Sequence, residues 1–327
     1  MFETRRREFI SLLGGLVAWP GAARAQLSGK VYRIGFLGAT SHAGHEPLVG
    51  ALRTGLRKLG YEEGKNIVIH YRWAEERYDR LPELAVELVK LNVDVIVTHS
   101  TPGSLAAKQA SSTIPIVSAA VGDPVAAGLV TSLARPGGNL TGLTFFFAEV
   151  CAKRVELMKE AIPTLTRLAV LVNPANPSAV IALPVMQRTA SALGIELVPI
   201  QVKARDDIPD AIAMVTAKRA ALVVIEDPAS IVNAKQVADL ALQNGLPMIG
   251  FRPYAEAGGL MEYGVDLIEL YSRSASFVDK ILKGTPPADL PIERAVKFDL
   301  VVNLKAAKAL GITLPLLLLA RADEVIE

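Results

Sequence analysis

Short apolar runs rich in Val, Ile and Leu alternate with stretches of helical spacing along almost the whole chain. Residues 31–38, 66–73, 93–98 and 114–121 read as strands. Residues 48–59, stopped by Gly60, read as helix, as do residues 81–91 and about 102–110. The series restarts after Phe147. Strands are expected at 168–172, 195–202, 221–225 and 247–251, and helices at 149–161, 178–193, 207–217 and 230–244. The strands are near-continuously apolar rather than alternating, as strands of a parallel sheet are when crossover helices cover both faces. The pattern predicts an α/β protein with two doubly wound parallel-sheet lobes.

The two halves share an order of landmarks. Val95-Ile96-Val97, Thr101-Pro102, Ala107-Lys108-Gln109 and Ile114-Pro115-Ile116-Val117 are answered by Val223-Val224-Ile225, Asp227-Pro228, Ala234-Lys235-Gln236 and Leu246-Pro247-Met248-Ile249. This order predicts two similar lobes related by a pseudo-two-fold axis.

Composition narrows the function. The 327 residues are 51% hydrophobic and 21% charged, enough to bury a sizeable core. Four of the 35 basic and two of the 33 acidic residues fall in residues 1–25, leaving 31 of each in the body. A neutral body argues against nucleic acid and against a polybasic membrane patch. Cys151 is the single cysteine, so no intrachain disulfide forms, and the four histidines lack metal-ligand spacing.

Residues 1–25 read as an export signal. Arg5-Arg6-Arg7 leads into a short apolar stretch, and Ala23-Arg24-Ala25 offers a small-residue cleavage site before Gln26. Arg6-Arg7-Glu8-Phe9-Ile10 matches the twin-arginine type, which we favour over an ordinary Sec signal. No cysteine sits at the end of the signal and no later segment reads as a membrane span. The expected product is an unanchored, monomeric protein of the periplasm.

Ligands of open parallel sheets bind beyond the carboxyl ends of the strands, at a cleft if two lobes face each other. The loops in question place Thr40, Ser100, Thr101, Asp123, Asn173, Asn176, Asp227 and Arg252 at that cleft as candidate ligand-binding residues. Thr101-Pro102, Asp123-Pro124 and Asp227-Pro228 each read as an N-cap followed by proline. A neutral cap at Thr101 leaves the helix end open to a ligand carboxylate, and either aspartate suits an ammonium, so an amino acid or related carboxylate is favoured. Plain capping is the competing role for all three. Arg252 would grip a carboxylate or pair with Glu226. His99 is as much a loop histidine as a ligand contact. Phe145-Phe146-Phe147 is expected to pack under a hinge, and Trp73 and Cys151 to serve packing.

Enzyme motifs fail. The segment from Gly60 to Asn66 is one residue short of a phosphate loop and carries Asn in place of Ser or Thr. There is no G-x-G-x-x-G, G-x-S-x-G or H-E-x-x-H. No catalytic residue, metal or cofactor is expected.

The chain resembles the substrate-binding proteins of an ABC transporter family. The resemblance covers essentially its whole length. It rests on Arg5-Arg6-Arg7-Glu8-Phe9-Ile10, Tyr71-Arg72-Trp73-Ala74-Glu75, Tyr78-Asp79-Arg80-Leu81-Pro82, Gly122-Asp123-Pro124-Val125 and Arg135-Pro136-Gly137-Gly138-Asn139-Leu140-Thr141-Gly142. Gly258-Gly259-Leu260 and a tail running from Lys297-Phe298 to Ala320-Arg321-Ala322-Asp323-Glu324 add to it. The resemblance implies a type I periplasmic-binding-protein fold with a three-crossover hinge. Lobe one would be residues 31–143 plus 264–290, and lobe two 144–262 plus 291–327. It implies a small-molecule ligand, an ABC permease as partner and an ATPase reached through it. Asp123, in the Gly-Asp-Pro-Val motif, is then the best single candidate for a contact with an amine. The rival readings are a periplasmic sensor serving a membrane signalling protein and, behind it, a periplasmic enzyme.

Overall fold

The computed structural model describes residues 30–327; the export signal read at residues 1–25 lies outside the described residues. The chain lays down β1 (Tyr32–Gly38), α1 (His42–Lys58), β2 (Ile67–Trp73), α2 (Leu81–Lys90), β3 (Val95–Thr98), α3 (Ser100–Ala110), β4 (Ile116–Val121) and β5 (Leu140–Thr144). Next come α4 (Phe147–Ala161), β6 (Arg167–Val172), α5 (Pro177–Ala192), β7 (Glu196–Gln201), α6 (Ile208–Ala217), β8 (Ala221–Val224), α7 (Pro228–Val232), α8 (Ala234–Gln243), β9 (Met248–Gly250) and β10 (Met261–Gly264). The tail holds α9 (Leu267–Leu282), β11 (Glu293–Arg294), β12 (Asp299–Asn303), α10 (Leu304–Ala309), α11 (Leu316–Leu319) and β13 (Glu324–Ile326).

Two sheets result. The first has the order β11-β5-β4-β3-β1-β2 and is parallel throughout. The second has the order β13-β12-β10-β9-β8-β6-β7 and is parallel except where β12 meets β10. Alternate residues of each strand enter different cores, because successive side chains point to opposite faces. Phe36, Val95 and Val97 face one core and Leu37 and Ile96 another; Leu168 and Val170 divide from Ala169 and Leu171 in the same way. Strands wet on neither face must be apolar at every position.

The chain passes between the sheets three times, after β5, after β10 and after β11. α4, first after the initial passage, packs on α5, β9 and β10, whereas α9 returns to pack on α1 and β4. The protein is thus a pair of doubly wound parallel-sheet lobes joined by three crossovers.

Local departures from the sequence reading have physical causes. α1 begins six residues before the expected start, at His42, because the Ser41 hydroxyl accepts from the Gly44 N–H. The helix expected over 230–244 is two helices, broken at Asn233, whose side-chain amide donates to the Ala229 carbonyl at 2.9 Å. α3 is capped by extended His99, not by Thr101, which lies inside the first turn. Asp123-Pro124 opens a turn rather than a helix; the Asp123 carboxylate accepts from the N–H groups of Val125 and Ala126 at 3.0 and 2.9 Å.

A candidate ligand cleft between the lobes

The carboxyl ends of β3, β4 and β8 converge on a cleft of about 440 Å³, mouth included. Its apolar lining comes from Leu48, Phe145, Phe147, Ile231 and Leu267, with the Tyr271 ring. Its polar lining comes from Ser100, Thr101, Asn176, Ser178, Glu226 and Asp227. Four of the eight sequence-predicted residues, Ser100, Thr101, Asn176 and Asp227, are therefore brought together.

Ser100 is the most unusual of them. It opens α3 with φ of 62°, in the left-handed region that a serine adopts only under constraint. Its Oγ is buried and has no hydrogen-bond partner in the protein. α3 also has no acidic residue in its first turn and no side-chain cap. An uncapped helix N-terminus carries a partial positive charge and free N–H groups.

Thr101 and Asp227 meet the opposite lobe. Thr101 Oγ1 lies 2.6 Å from Ser178 Oγ, and Gly122 lets the lobes approach here: a Cβ on it would sit 2.9 Å from Ser178 Oγ. Asp227 caps α7 by accepting from the Ala229 N–H, and also accepts from the Tyr78 hydroxyl at 2.8 Å and the Asn176 amide at 2.9 Å. Burial pushes its carboxyl above the usual carboxylate range. Asn176 in turn caps α5 through the Ser178 N–H.

The other four predicted residues do not line the cleft. The Thr40 hydroxyl is 2.7 Å from His45 Nδ1. Asn173 holds a turn through the Ala175 N–H and borders a smaller hollow in the second lobe. Asp123 is committed to its own turn. Arg252 sits 3.6 Å from Glu256 and 3.7 Å from Glu324 and does not pair with Glu226. Glu226 belongs instead to Arg154 of α4, which grips both its carboxylate oxygens and donates to the Tyr263 carbonyl from a fully buried position.

Two histidines, His99 of the cleft lining and His45 behind it, pack with their rings tilted and their centres 4.2 Å apart. His99 Nε2 accepts from the Ala39 N–H, and His45 Nε2 lies 3.1 Å from the Tyr271 hydroxyl. Burial lowers His45 to about 4, and burial with the neighbouring His45 drives His99 well below the usual imidazole range. Both are neutral near pH 7. Among the described residues no group of His, Cys, Asp or Glu is placed to hold a metal.

Sequence reasoning missed the apolar lining. Phe145 and Phe147, expected as packing under a hinge, are buried in an edge-to-face pair and border the cleft as well. Leu267 and Tyr271 are four residues apart on α9, one helical face, which is the signal that marks them. Glu226 lies in the loop that also carries Asp227, and Ser178 in the first turn of α5, just past Asn176.

Three comparisons bear on this cleft. A profile described as ABC transporter substrate binding protein matches residues 33–326. A tyrosine-binding protein of Clostridioides difficile is 28% identical over 256 residues, 78% of this chain and 74% of that protein. Among solved structures, a conserved domain protein from Vibrio cholerae superposes with TM-score 0.84 at 32% identity, over 90% of this chain and all of that one. A Streptococcus pneumoniae domain in complex with L-Trp gives 0.81 at 26%, with the same coverage. The ligand-free, open structure of a substrate binding protein with adhesive properties from Clostridium difficile gives 0.63 at 27%, over 90% and 99%. No helix of the described residues is long and apolar enough to cross a membrane.

Proposed function

Because the chain belongs to the ABC transporter substrate binding protein family, we propose that it captures an amino acid with an apolar or aromatic side chain between its lobes, by hinge closure, and delivers it to a membrane permease. The observation that carries this reading is the mixed lining of the cleft, apolar at Leu48, Phe145, Phe147 and Leu267 and polar at Ser100, Thr101, Asn176 and Asp227. A free amino acid carries the same two kinds of surface. Its carboxylate is placed at the first turn of α3, against the Ser100 hydroxyl, and its side chain against the two phenylalanines. Asn176 and Asp227 face its ammonium. The relatives that bind tyrosine and tryptophan support this class of ligand. The closer match to the L-Trp-bound domain than to the open relative, at nearly equal identity, supports a closed arrangement of the lobes.

The reading places the mature protein in the periplasm, passing its cargo to a permease whose partner ATPase it meets only indirectly. It assigns no chemistry to the cleft. Calorimetry of residues 26–327 against the common amino acids tests it. Saturable binding of L-tyrosine, L-tryptophan or L-phenylalanine is expected, lost when either the carboxylate or the ammonium is removed from the ligand. Binding of a sugar or nucleoside with no response to any amino acid would overturn it.

A further inference from the structure

Residues 74–78 of the first lobe touch the second lobe outside the cleft lining, and they do so from a strained backbone. Glu75 and Glu76 are consecutive left-handed residues, with φ of 51° and 63°, and neither is glycine. Their conformation is fixed from below: the N–H groups of Ala74, Glu75 and Glu76 donate to the carbonyls of Gly38, Thr40 and Ala39 at 2.9, 3.2 and 3.0 Å. Such strain persists only where surrounding contacts over-determine it, and it clusters at working parts of proteins. What it presents here is a pair of contacts to a single short helix. The Tyr78 hydroxyl donates to Asp227, the N-cap of α7, and the Glu76 carboxylate accepts from the side-chain amide of Asn233, its C-cap, at 3.1 Å. Between those caps α7 carries Pro228 and Ile231 into the cleft wall.

We infer that residues 74–78 form a clasp: Tyr78 and Glu76 are positioning residues that grip α7 at both caps, hold the lobes together and set how long a captured ligand stays. The inference rests on the reading of this protein as a hinge-closing receptor, but not on the identity of its ligand. Tyr78 is not in the cleft lining, and its hydroxyl bonds a carboxylate that is. Asp227 is also a proposed ligand contact, so a change at Tyr78 reaches both closure and ligand, whereas Glu76 bonds Asn233, which is outside the cleft lining, and a change there acts on closure alone. The clasp also differs from the Thr101–Ser178 contact, which lies inside the cleft.

The first readout needs no ligand. Spin labels on Glu83→Cys and Lys235→Cys, exposed positions on α2 and α8, report the separation of the lobes. Cys151 is fully buried and stays unlabelled. The parent is expected to show a substantial short-distance population. Tyr78→Phe and Glu76→Ala should each shift the ratio of short to long distances toward long by about tenfold, the loss of one hydrogen bond to a charged group. Glu76→Gln keeps an acceptor for Asn233 and should restore the parent distribution, which a merely destabilised loop would not do. The second readout is L-tryptophan binding: Glu76→Ala, whose partner Asn233 is outside the cleft lining, should raise the dissociation rate about tenfold with little change in association. A parent whose labels report only separated lobes, or variants that keep the parent distribution, would overturn the clasp. Failure of L-tryptophan to bind, with the distance shift intact, would count against the ligand assignment and leave the clasp supported.

Discussion

Single side chains divide into those that wait for a partner and those already committed. Ser100 Oγ is buried without one, so Ser100→Ala should weaken amino-acid binding by about 1–2 kcal/mol, a hydrogen bond to a charged group lost, with the melting temperature preserved. Calorimetry beside thermal denaturation separates the two effects. Asp123 stands at the other pole. Its carboxylate serves the N–H groups of Val125 and Ala126, and Asp123→Ala should lower stability by about 1 kcal/mol, as cap losses do, while affinity changes little. The paired histidines give a pH signature. In the unfolded chain each takes up a proton near its ordinary value of 6.5, whereas native His45 resists until about 4 and burial holds native His99 well below 6.5. The unfolded state binds more protons in that interval. Stability from this pair is complete above pH 6.5 and lost as pH falls toward 4, by up to about 1.4 kcal/mol per pH unit for each histidine. Glu262, held up to about 7 by burial, contributes with the opposite sign. The histidine part is therefore read from the difference between parent and His45→Gln in urea titrations at stepped pH, with the variant the flatter.

At the scale of elements, the Arg154–Glu226 pair joins the first helix of the second lobe to the cleft floor and, through the Tyr263 carbonyl, to β10. Arg154→Met leaves Glu226 buried and unpaired, and should cost about 3–5 kcal/mol in chemical denaturation. How much of this was legible beforehand follows from the kind of information each feature needs. The positions of β1–β4 and β6–β9 and of the helices between them were readable because burial on both faces forces continuous apolar runs. The loops that meet at the cleft followed from strand ends. The left-handed φ of Ser100 leaves no trace in composition, and Thr101-Pro102 looks like a cap until the helix is seen to be capped two residues earlier, at His99. The partner of Glu226 is 72 residues away and that of Asp227 across the cleft is 149 away. The first pair is set by how α4 packs on the second sheet and the second by the facing of two lobes, and no local pattern encodes either. The phenylalanines of the crossover were misjudged because one segment is both hinge and wall.

For the molecule as a whole, the last strands close the second sheet. β12 pairs with β10 and β13 with β12, and the Leu300 N–H is taken by Asp323. Truncation before Lys297 should expose the β10 edge and destabilise the second lobe; hydrogen exchange ought to rise in β8, β9 and β10 more than in β1 and β3. Uniform exchange across both sheets would contradict this. The three passages between the sheets have a further consequence for how the chain is made. Because β11 (Glu293–Arg294) belongs to the first sheet and β13 (Glu324–Ile326) to the second, neither sheet is complete until the ribosome has passed residue 294. A nascent chain stopped at residue 260 holds two unfinished halves rather than one folded lobe and one waiting segment. Each half therefore receives its closing strand late in synthesis, and until then the growing polypeptide carries open sheet edges in both.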